Sequence, residues 1–386
     1  MFDVCVVGGG MIGAATAVGL AQQGRSVALL ETHLPPAYSS EQPPDMRVSA
    51  LNLFTQSLLQ QLNAWQFIES KRLCPFKRMS VWENENAATH FSADEVNAPY
   101  LGHIVENRLV QLALLEQVAL LDKVTLFEQK QVSRIDMHDS VSLTLEGGEI
   151  VQCKLLVGAD GGLSRTRQQL HIGTQGWQYQ QHALGINIQM QDRVQQDITW
   201  QAFRSSGPLA FLPLFDGYAS LVWYDSADTI SALKKLNNSK LKAAIKANFP
   251  AHLGDFDILK SVSFPLTRMH ANQYVKGNAV LIGDAAHTIN PLAGQGVNLG
   301  FKDVAALLDA VQSWNGEPAQ LHSCLASYER KRRNQNLLMM SAMDGIYTVF
   351  SNDIGPLKLL RNMGLAMADK AGPIKRQVIK YAMGIN

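Results

Sequence analysis

The stretch Phe2 to Glu31 restricts the fold more than any other part of the chain. A short β-branched run, Phe2 to Val7, leads into Gly8, Gly10 and Gly13 at GxGxxG spacing, and a helical stretch to Gln23 follows. Gly24 interrupts it, and a second strand, Ser26 to Leu30, ends at the acidic Glu31. This is a βαβ unit with a purpose. The glycines permit a tight turn, close approach of a pyrophosphate to the helix N-terminus, and helix-on-strand packing, while an acid about 20 residues on receives ribose hydroxyls. Glu31 repels a 2′-phosphate, so the dinucleotide is FAD or NAD rather than NADP.

A second ligand-facing stretch comes late, from Leu281 to Val304. An apolar run ends in Gly283-Asp284, a loop with Pro291 follows, and Gly294-Gln295-Gly296 opens a helix through Val297 and Asn298. Glycines at 294 and 296 let a flat ligand approach the backbone, and the new helix points unpaired N–H groups outward, favouring negative charge. Asp284, at a strand end, accepts hydrogen bonds from ligand hydroxyls. The stretch therefore suits a polyol chain at one end and an electron-rich ring at the other, and a flavin has both.

Between these stretches the apolar run Leu155 to Ala159 reads as a strand buried on both faces, ending in Asp160-Gly161 with Ser164 and Arg167 behind. Gly147-Gly148 reads as a hairpin turn. Val105 to Leu121 reads as a helix with Leu109, Leu112 and Leu115 on one face. Arg47 and Arg108 are each read either as a cofactor contact or as a helix-end charge. From Trp177 to Leu266 the texture changes to long alternating or apolar runs, which imply a mostly antiparallel sheet inserted into the first fold. Phe211, Phe215, Trp223 and Tyr224 are candidate walls of an apolar substrate pocket there, with sheet core as the competing reading. The expected architecture is α/β (α+β overall): a Rossmann-like FAD-binding domain from 1–75, 100–175 and 275–335, a substrate domain from 76–99 and 176–274, and C-terminal helices over 336–386.

Composition narrows the partners. With 386 residues and a net charge of +1, no global field recruits nucleic acid, and neither a long basic run nor a zinc-ligand spacing is present, so no metal is expected. Four cysteines without a CxxC pair read as free thiols of a reducing cytosol. No window approaches the roughly 18 apolar residues of a membrane span. A cytoplasmic protein is expected, with peripheral contact to the inner face of the membrane left open. That option rests on the tail after Gly345, where Lys358, Arg361, Lys370, Lys375, Arg376 and Lys380 face only Asp353 and Asp369, interleaved with leucines and methionines. Glu329 to Arg333 reads as a solvated charged helix face.

Taken together, Gly8-x-Gly10-x-x-Gly13 with Glu31, Asp160-Gly161-x-x-Ser164-x-x-Arg167, and Gly283-Asp284-Ala285-Ala286-His287 with Pro291 and Gly294-Gln295-Gly296 resemble the triple fingerprint of FAD-dependent aromatic hydroxylases of the p-hydroxybenzoate hydroxylase type. The resemblance implies that the first motif holds the ADP half, that Asp160 lies near the pyrophosphate and the reduced nicotinamide, and that Asp284 bonds the ribityl chain. It also places Arg47 and Arg108 beside the cofactor. Within the family, NPLAGQGVNLGF is similar to the ubiquinone-biosynthesis hydroxylases, and the segments 210–226 and 361–384 are most similar to the branch acting on a demethoxyubiquinol-type ring.

The implied activity is O₂-dependent hydroxylation of a polyprenylated benzoquinol, with NAD(P)H as a transient reductant, and the implied setting is a ubiquinone-biosynthesis complex. A single GxGxxG leaves no second nucleotide domain, in keeping with a reductant that does not stay bound. Another ring-position hydroxylase, or a flavin reductase that transfers no oxygen, remains the alternative. No catalytic base stands out, and His287 reads as structural.

Overall fold

The computed structural model describes residues 1–192, 195–289, 294 and 296–385. Strand Phe2–Val7 lies between Val27–Glu31 and Ile150–Gly158 and pairs in parallel with both, Val4 standing opposite Val27 and Leu155. Val124–Glu128 and Ala279–Leu281 extend the sheet in parallel on either side. Crossover helices occupy the faces of such a sheet, so its strands are apolar on both sides. Val4, Cys5, Val6, Leu155 and Leu156 are accordingly buried, and each such leucine contributes about 1.5–3 kcal/mol. Helix Met11–Gln22 packs on helix Gly296–Val311 at Gly19, where a Cβ would stand 2.4 Å from Leu308 Cδ1.

The Gly147-Gly148 turn joins Val141–Leu145 to Ile150–Gly158, both glycines hold positive φ, 103° and 88°, and the Gly148 N–H donates to the Leu145 carbonyl at 3.0 Å. In helix Asn107–Leu120 the buried stripe is Leu109, Val110, Ala113, Leu114 and Val118. The leucine face expected at 109, 112 and 115 is thus rotated, because Leu112 and Leu115 lie at its edge and are only half-buried.

A second sheet runs in the order His287–Thr288, Phe256–Ala271, Thr174–Met190, Tyr218–Ser226, Leu209–Pro213, Ile198–Ala202, Arg78–Trp82 and Thr89–Ser92. It is antiparallel except where Ile198–Ala202 meets Arg78–Trp82. One face is closed by helices Ala227–Lys234 and Asn238–Asn248, whose Ile230, Leu233, Leu241 and Ile245 share a core with Leu184, Ile186, Phe211, Leu221 and Trp223. The other face meets residues 44–46, since Asn187 Nδ2 donates to the carbonyls of Pro44 and Asp45 at 2.9 and 3.1 Å. A small third sheet, Val48–Asn52, Gly102–Glu106 and Cys74–Phe76, stands beside them.

The chain closes with helices Pro318–Phe350, Gly355–Asp369 and Pro373–Met383. None of the described helices is long and apolar enough to cross a membrane. Two expectations about charge fail here. Arg332, read as part of a solvated face, is 2% exposed. Arg361 and Lys375, read as outward bases of the tail, are turned inward to Glu83 at 2.6 Å and to Glu95 at 3.1 Å. A guanidinium or ammonium this buried needs a partner, and a carboxylate supplies it.

Candidate active site

The glycine turn after Val7 divides its work among three positions. Gly8 has φ +102°, and a Cβ there would meet the Ala159 carbonyl at 2.5 Å. At Gly13 a Cβ would be 1.7 Å from the Gly8 oxygen, so helix and turn touch directly. Gly10, which begins the helix, has open space where its Cβ would point. The first two glycines satisfy the protein, and the third leaves room for a ligand at the helix N-terminus, where N–H groups lack intrahelical partners.

Glu31 ends its strand beside this turn. Its carboxylate accepts from the Gly9 N–H at 2.6 Å and the His33 N–H at 2.8 Å. Gln111, from helix Asn107–Leu120, donates to the Gly9 carbonyl at 2.9 Å and so steadies the turn from the other side. A lone glutamine inside a helix carries no signal of this in the sequence.

Asp160 lies next to Gly8, but its carboxylate is engaged within its own turn. It accepts from Ser164 Oγ at 2.5 Å and from the Thr166 N–H at 2.9 Å. Arg167 then ties this turn to the late motif, donating to the Gly162 and Ala285 carbonyls at 2.9 and 2.8 Å. Burial lowers the Arg167 pKa, and Asp160 counters that. The two acidic strand ends are therefore stitched together by one arginine.

Asp284 is arranged differently. Its side chain is reached by solvent, although protein surrounds it on most sides, as in a groove. Burial raises its pKa, and His287 and Arg47 pull it back. Among the described residues its carboxylate receives no hydrogen bond. Arg47 is exposed, and no described residue pairs with its guanidinium either. An acceptor and a donor close enough to feel each other's charge thus keep their capacity unspent among the described residues.

Behind Asp284 sits a buried polar chain. Asp303, fully buried on helix Gly296–Val311, accepts from the Gly283 N–H at 3.0 Å, binds His287 Nε2 at 2.5 Å and pairs with Arg332 Nε at 2.7 Å. Asn336 joins Asp303 to the Tyr274 hydroxyl, which meets His270 Nε2 at 3.0 Å. Burial acts to raise the Asp303 pKa, but His287 and Arg332 outweigh it and hold the group down at about 2. His287 is thus a strut of the strand end, in keeping with its structural reading.

The helix start closes the groove. Gly294 has φ +60° and lies 3.5 Å, at its Cβ position, from Ala50. Val297 packs on the main core. The Asn298 side chain is wholly spent on protein, accepting from the Asn52 N–H and Thr55 Oγ1 and donating to the Ala50 and Gly294 carbonyls. Only backbone N–H groups from Gly296 onward remain to face a ligand. Pro291 lies outside the described residues, as does Gln295. Arg108 is also committed: its fork holds Asp45 at 2.8 Å and the Pro36 and Ala37 carbonyls at 3.0 Å each. It fixes the loop of residues 36–45 and has four of its five N–H donors spent on protein.

The expected pocket walls divide by strand parity. Phe211 and Trp223 point into the core under the two covering helices, facing away from residues 44–46, so they wall no pocket. Side chains alternate across a strand, and in Leu209–Pro213 and Tyr218–Ser226 it is Ala210, Leu212, Ser220 and Val222 that share the face of Asn187. Gly185 lies on this face too, its Cβ position 3.8 Å from Met46 Cε. Phe215 lies under the Arg72 guanidinium at 4.2 Å and packs with Leu212 and Tyr218. Tyr224 has the right parity but is sealed by Tyr179, Ala183 and Leu266, and burial raises its pKa. The alternation is visible in residues 209–226, and reading it would have found this face.

Glu31 is bonded to the turn at Gly9, and Ile12, in the first turn of the helix that Gly10 opens, lies 3.2 Å and 2.7 Å from the Cβ positions of Gly283 and Gly300, so the two helix starts and the two acidic strand ends are neighbours. These groups suit FAD: Glu31 would take the ribose, the Gly10 helix start the pyrophosphate, Asp284 the ribityl hydroxyls and the Gly296 helix start the ring edge. A family described as FAD binding domain matches residues 1–341. The chain is 44% identical over 386 residues to 3-demethoxyubiquinol 3-hydroxylase of Escherichia coli (strain K12), covering 99% of this chain and 98% of that one. It is 33% identical to the mitochondrial ubiquinone biosynthesis monooxygenase COQ6 of Rattus norvegicus, over 99% of this chain and 91% of the relative. In fold it is similar to p-nitrophenol 4-monooxygenase PnpA from Pseudomonas putida DLL-E4, with a TM-score of 0.83 at 18% identity, covering 99% and 98% of the two chains. The chain belongs to the FAD-binding family of flavin-dependent monooxygenases, and FAD is its cofactor.

Proposed function

We propose that the protein hydroxylates the ring of a polyprenylated benzoquinol of the demethoxyubiquinol type, in ubiquinone biosynthesis, with NAD(P)H as reductant. The reaction balances as quinol, O₂, NAD(P)H and one proton giving hydroxylated quinol, NAD(P)⁺ and water. Full-length likeness to a 3-demethoxyubiquinol 3-hydroxylase carries the substrate reading. The apolar sheet face at Ala210, Leu212 and Val222, beside the groove, suits a ring with a greasy tail. When bound, FAD supplies the activation of O₂.

The chain's own residues position and dry the site. Asp284 and Arg47 hold the cofactor's polar parts, and the helix start at Gly296 sets fixed N–H dipoles where negative charge gathers. The sheet face keeps water from the ring. His270 and His103 have pKa values lowered to about 4 by burial, so both are neutral near pH 7 and supply no proton. No base is assigned. The same reading puts the protein in the cytoplasm, working against the inner membrane face where such a substrate dissolves, within a biosynthetic complex.

Labelled O₂ with the demethoxy quinol tests the reading. A product heavier by one oxygen label supports hydroxylation, and turnover without label points to a reductase instead. If the label lands on a different ring carbon, another hydroxylase of the same pathway is the better description.

A further inference from the structure

Helix Gly355–Asp369 is built inside out. Its inward strip is polar: Arg361 pairs with Glu83, Asn362 Nδ2 donates to Glu83 at 3.1 Å, and Asp369 accepts from the His90 N–H at 2.9 Å. Its outward strip is apolar, with Leu359, Leu360, Met363 and Met367 all more than half exposed and Met367 reaching 70%. A helix on the surface of a water-soluble protein turns the opposite way, its leucines to the core and its charges to solvent. Contiguous exposed apolar surface of this kind marks an interaction site.

The next helix continues the surface. Pro373–Met383 buries Ile379 and Met383 beside Leu214 and Phe76, and leaves Ile374, Val378 and Tyr381 exposed. Four bases of these two helices are exposed: Lys358, Lys370, Arg376 and Lys380. The nearby carboxylates are occupied, Asp369 by Lys375 and Asp353 by the Ser205 hydroxyl. Exposed apolar side chains, with bases on the same helices that no described residue pairs, match an anionic lipid surface, where leucines enter the acyl boundary and lysines meet headgroup phosphates.

The surface also sits over the groove. Asn52 Nδ2 donates to the Ala382 carbonyl at 3.1 Å, while the Asn52 N–H is held by Asn298 at the helix start. Ile379 and Met383 share a cluster with Leu212, Phe215 and Tyr218, on the face assigned to the ring. The underside of the helix thus roofs the substrate face, and its outer side is the apolar surface.

We propose that helices Gly355–Asp369 and Pro373–Met383 lie flat on an anionic bilayer, with Leu360, Met363 and Met367 inserted, so that a membrane-dissolved substrate reaches the groove beside Pro373–Met383 without crossing water. The route of substrate rests on the function proposed above; the docking of the surface does not.

Flotation of the FAD-loaded protein with phosphatidylcholine vesicles, with and without phosphatidylglycerol, tests it. The wild-type protein floats with the anionic vesicles and is released by salt. Leu360→Glu/Met363→Glu/Met367→Glu weakens vesicle binding roughly hundredfold or more, while keeping bound FAD and turnover of a short-chain, water-soluble quinol. Lys358→Ser/Lys380→Ser weakens binding about 25-fold, at about fivefold per base. Wild-type protein that floats with neither vesicle, or equally with both, overturns the proposal. So does a triple variant that floats like the wild type, or one whose only change is from dimer to monomer, which makes the face an interface between copies. Failure of the wild type to hydroxylate the short-chain quinol removes the substrate reading and leaves flotation to decide the surface on its own.

Discussion

Replacing Asp303 by asparagine removes the charge on which the late strand end is built. The substitution keeps the volume but leaves the Arg332 guanidinium, almost wholly buried, without its anion, and leaves one carbonyl oxygen where Arg332, His287 and the Gly283 N–H had two carboxylate oxygens to share. Breaking a buried pair by removing one partner costs about 3–5 kcal/mol, because the other charge stays in low dielectric. The loss should appear as a lower urea midpoint for Asp303→Asn at pH 7. Because Gly283 and His287 flank Asp284, FAD affinity should fall with it, as read by quenching of flavin fluorescence. Asp303→Leu with Arg332→Met replaces the pair by apolar groups of similar size and recovers part of the stability, but His287 still lacks its partner and flavin affinity stays low. A loss under about 1 kcal/mol for Asp303→Asn, with unchanged flavin affinity, refutes the reasoning. The pH dependence gives a second check. Asp303 is held at about 2, below its unfolded value, so its contribution is complete above about pH 4 and is lost as the pH falls toward 2.

Other expectations follow from the same geometry. Asp284→Ala leaves the fold intact but weakens FAD binding about 10- to 100-fold, from loss of a charged acceptor worth about 1.5–3 kcal/mol; a full yellow complement after dialysis contradicts its role. Trp223→Ala costs about 3–5 kcal/mol of stability with KM for a short-chain quinol unchanged, whereas Val222→Trp raises KM with little loss of stability. Equal effects of the two on KM would show that strand parity does not divide core from pocket. His103 is buried against Trp65 and Tyr100, its Nδ1 has no hydrogen-bond partner among the described residues, and burial lowers its pKa to about 4. The unfolded chain takes up that proton nearer pH 6.5, so stability falls as the pH drops from about 6.5 to 4, and His103→Phe makes thermal melts less sensitive over that window.

The backbone of the site was legible in the residues because it is written in local pattern. Gly8, Gly10 and Gly13 announce a turn that only small residues fit, and Gly147-Gly148 announces a hairpin, since both depend on neighbours within a few positions. The apolar strand ending at Asp160 and the run ending at Asp284 were visible for the same reason. Which charges face inward was not visible. Arg332, Arg361 and Lys375 sit in basic stretches that look solvated, and they are buried because Asp303, Glu83 and Glu95 come from distant parts of the chain.

Aromatic content also misled where parity would have served. Phe211 and Trp223 drew notice by size, yet the alternation that turns them from the groove is as plain in residues 209–226 as any motif. By itself the sequence determined a dinucleotide βαβ unit, two acidic strand ends and a mostly antiparallel sheet, because each follows from the steric needs of adjacent residues. The tertiary structure alone decided that Asp284 and Arg47 stay unspent among the described residues while Asp160, Arg108 and Asn298 are committed to protein, and that the tail helix turns its leucines outward. A side chain's free capacity depends on what distant segments bring against it, and no local pattern records that.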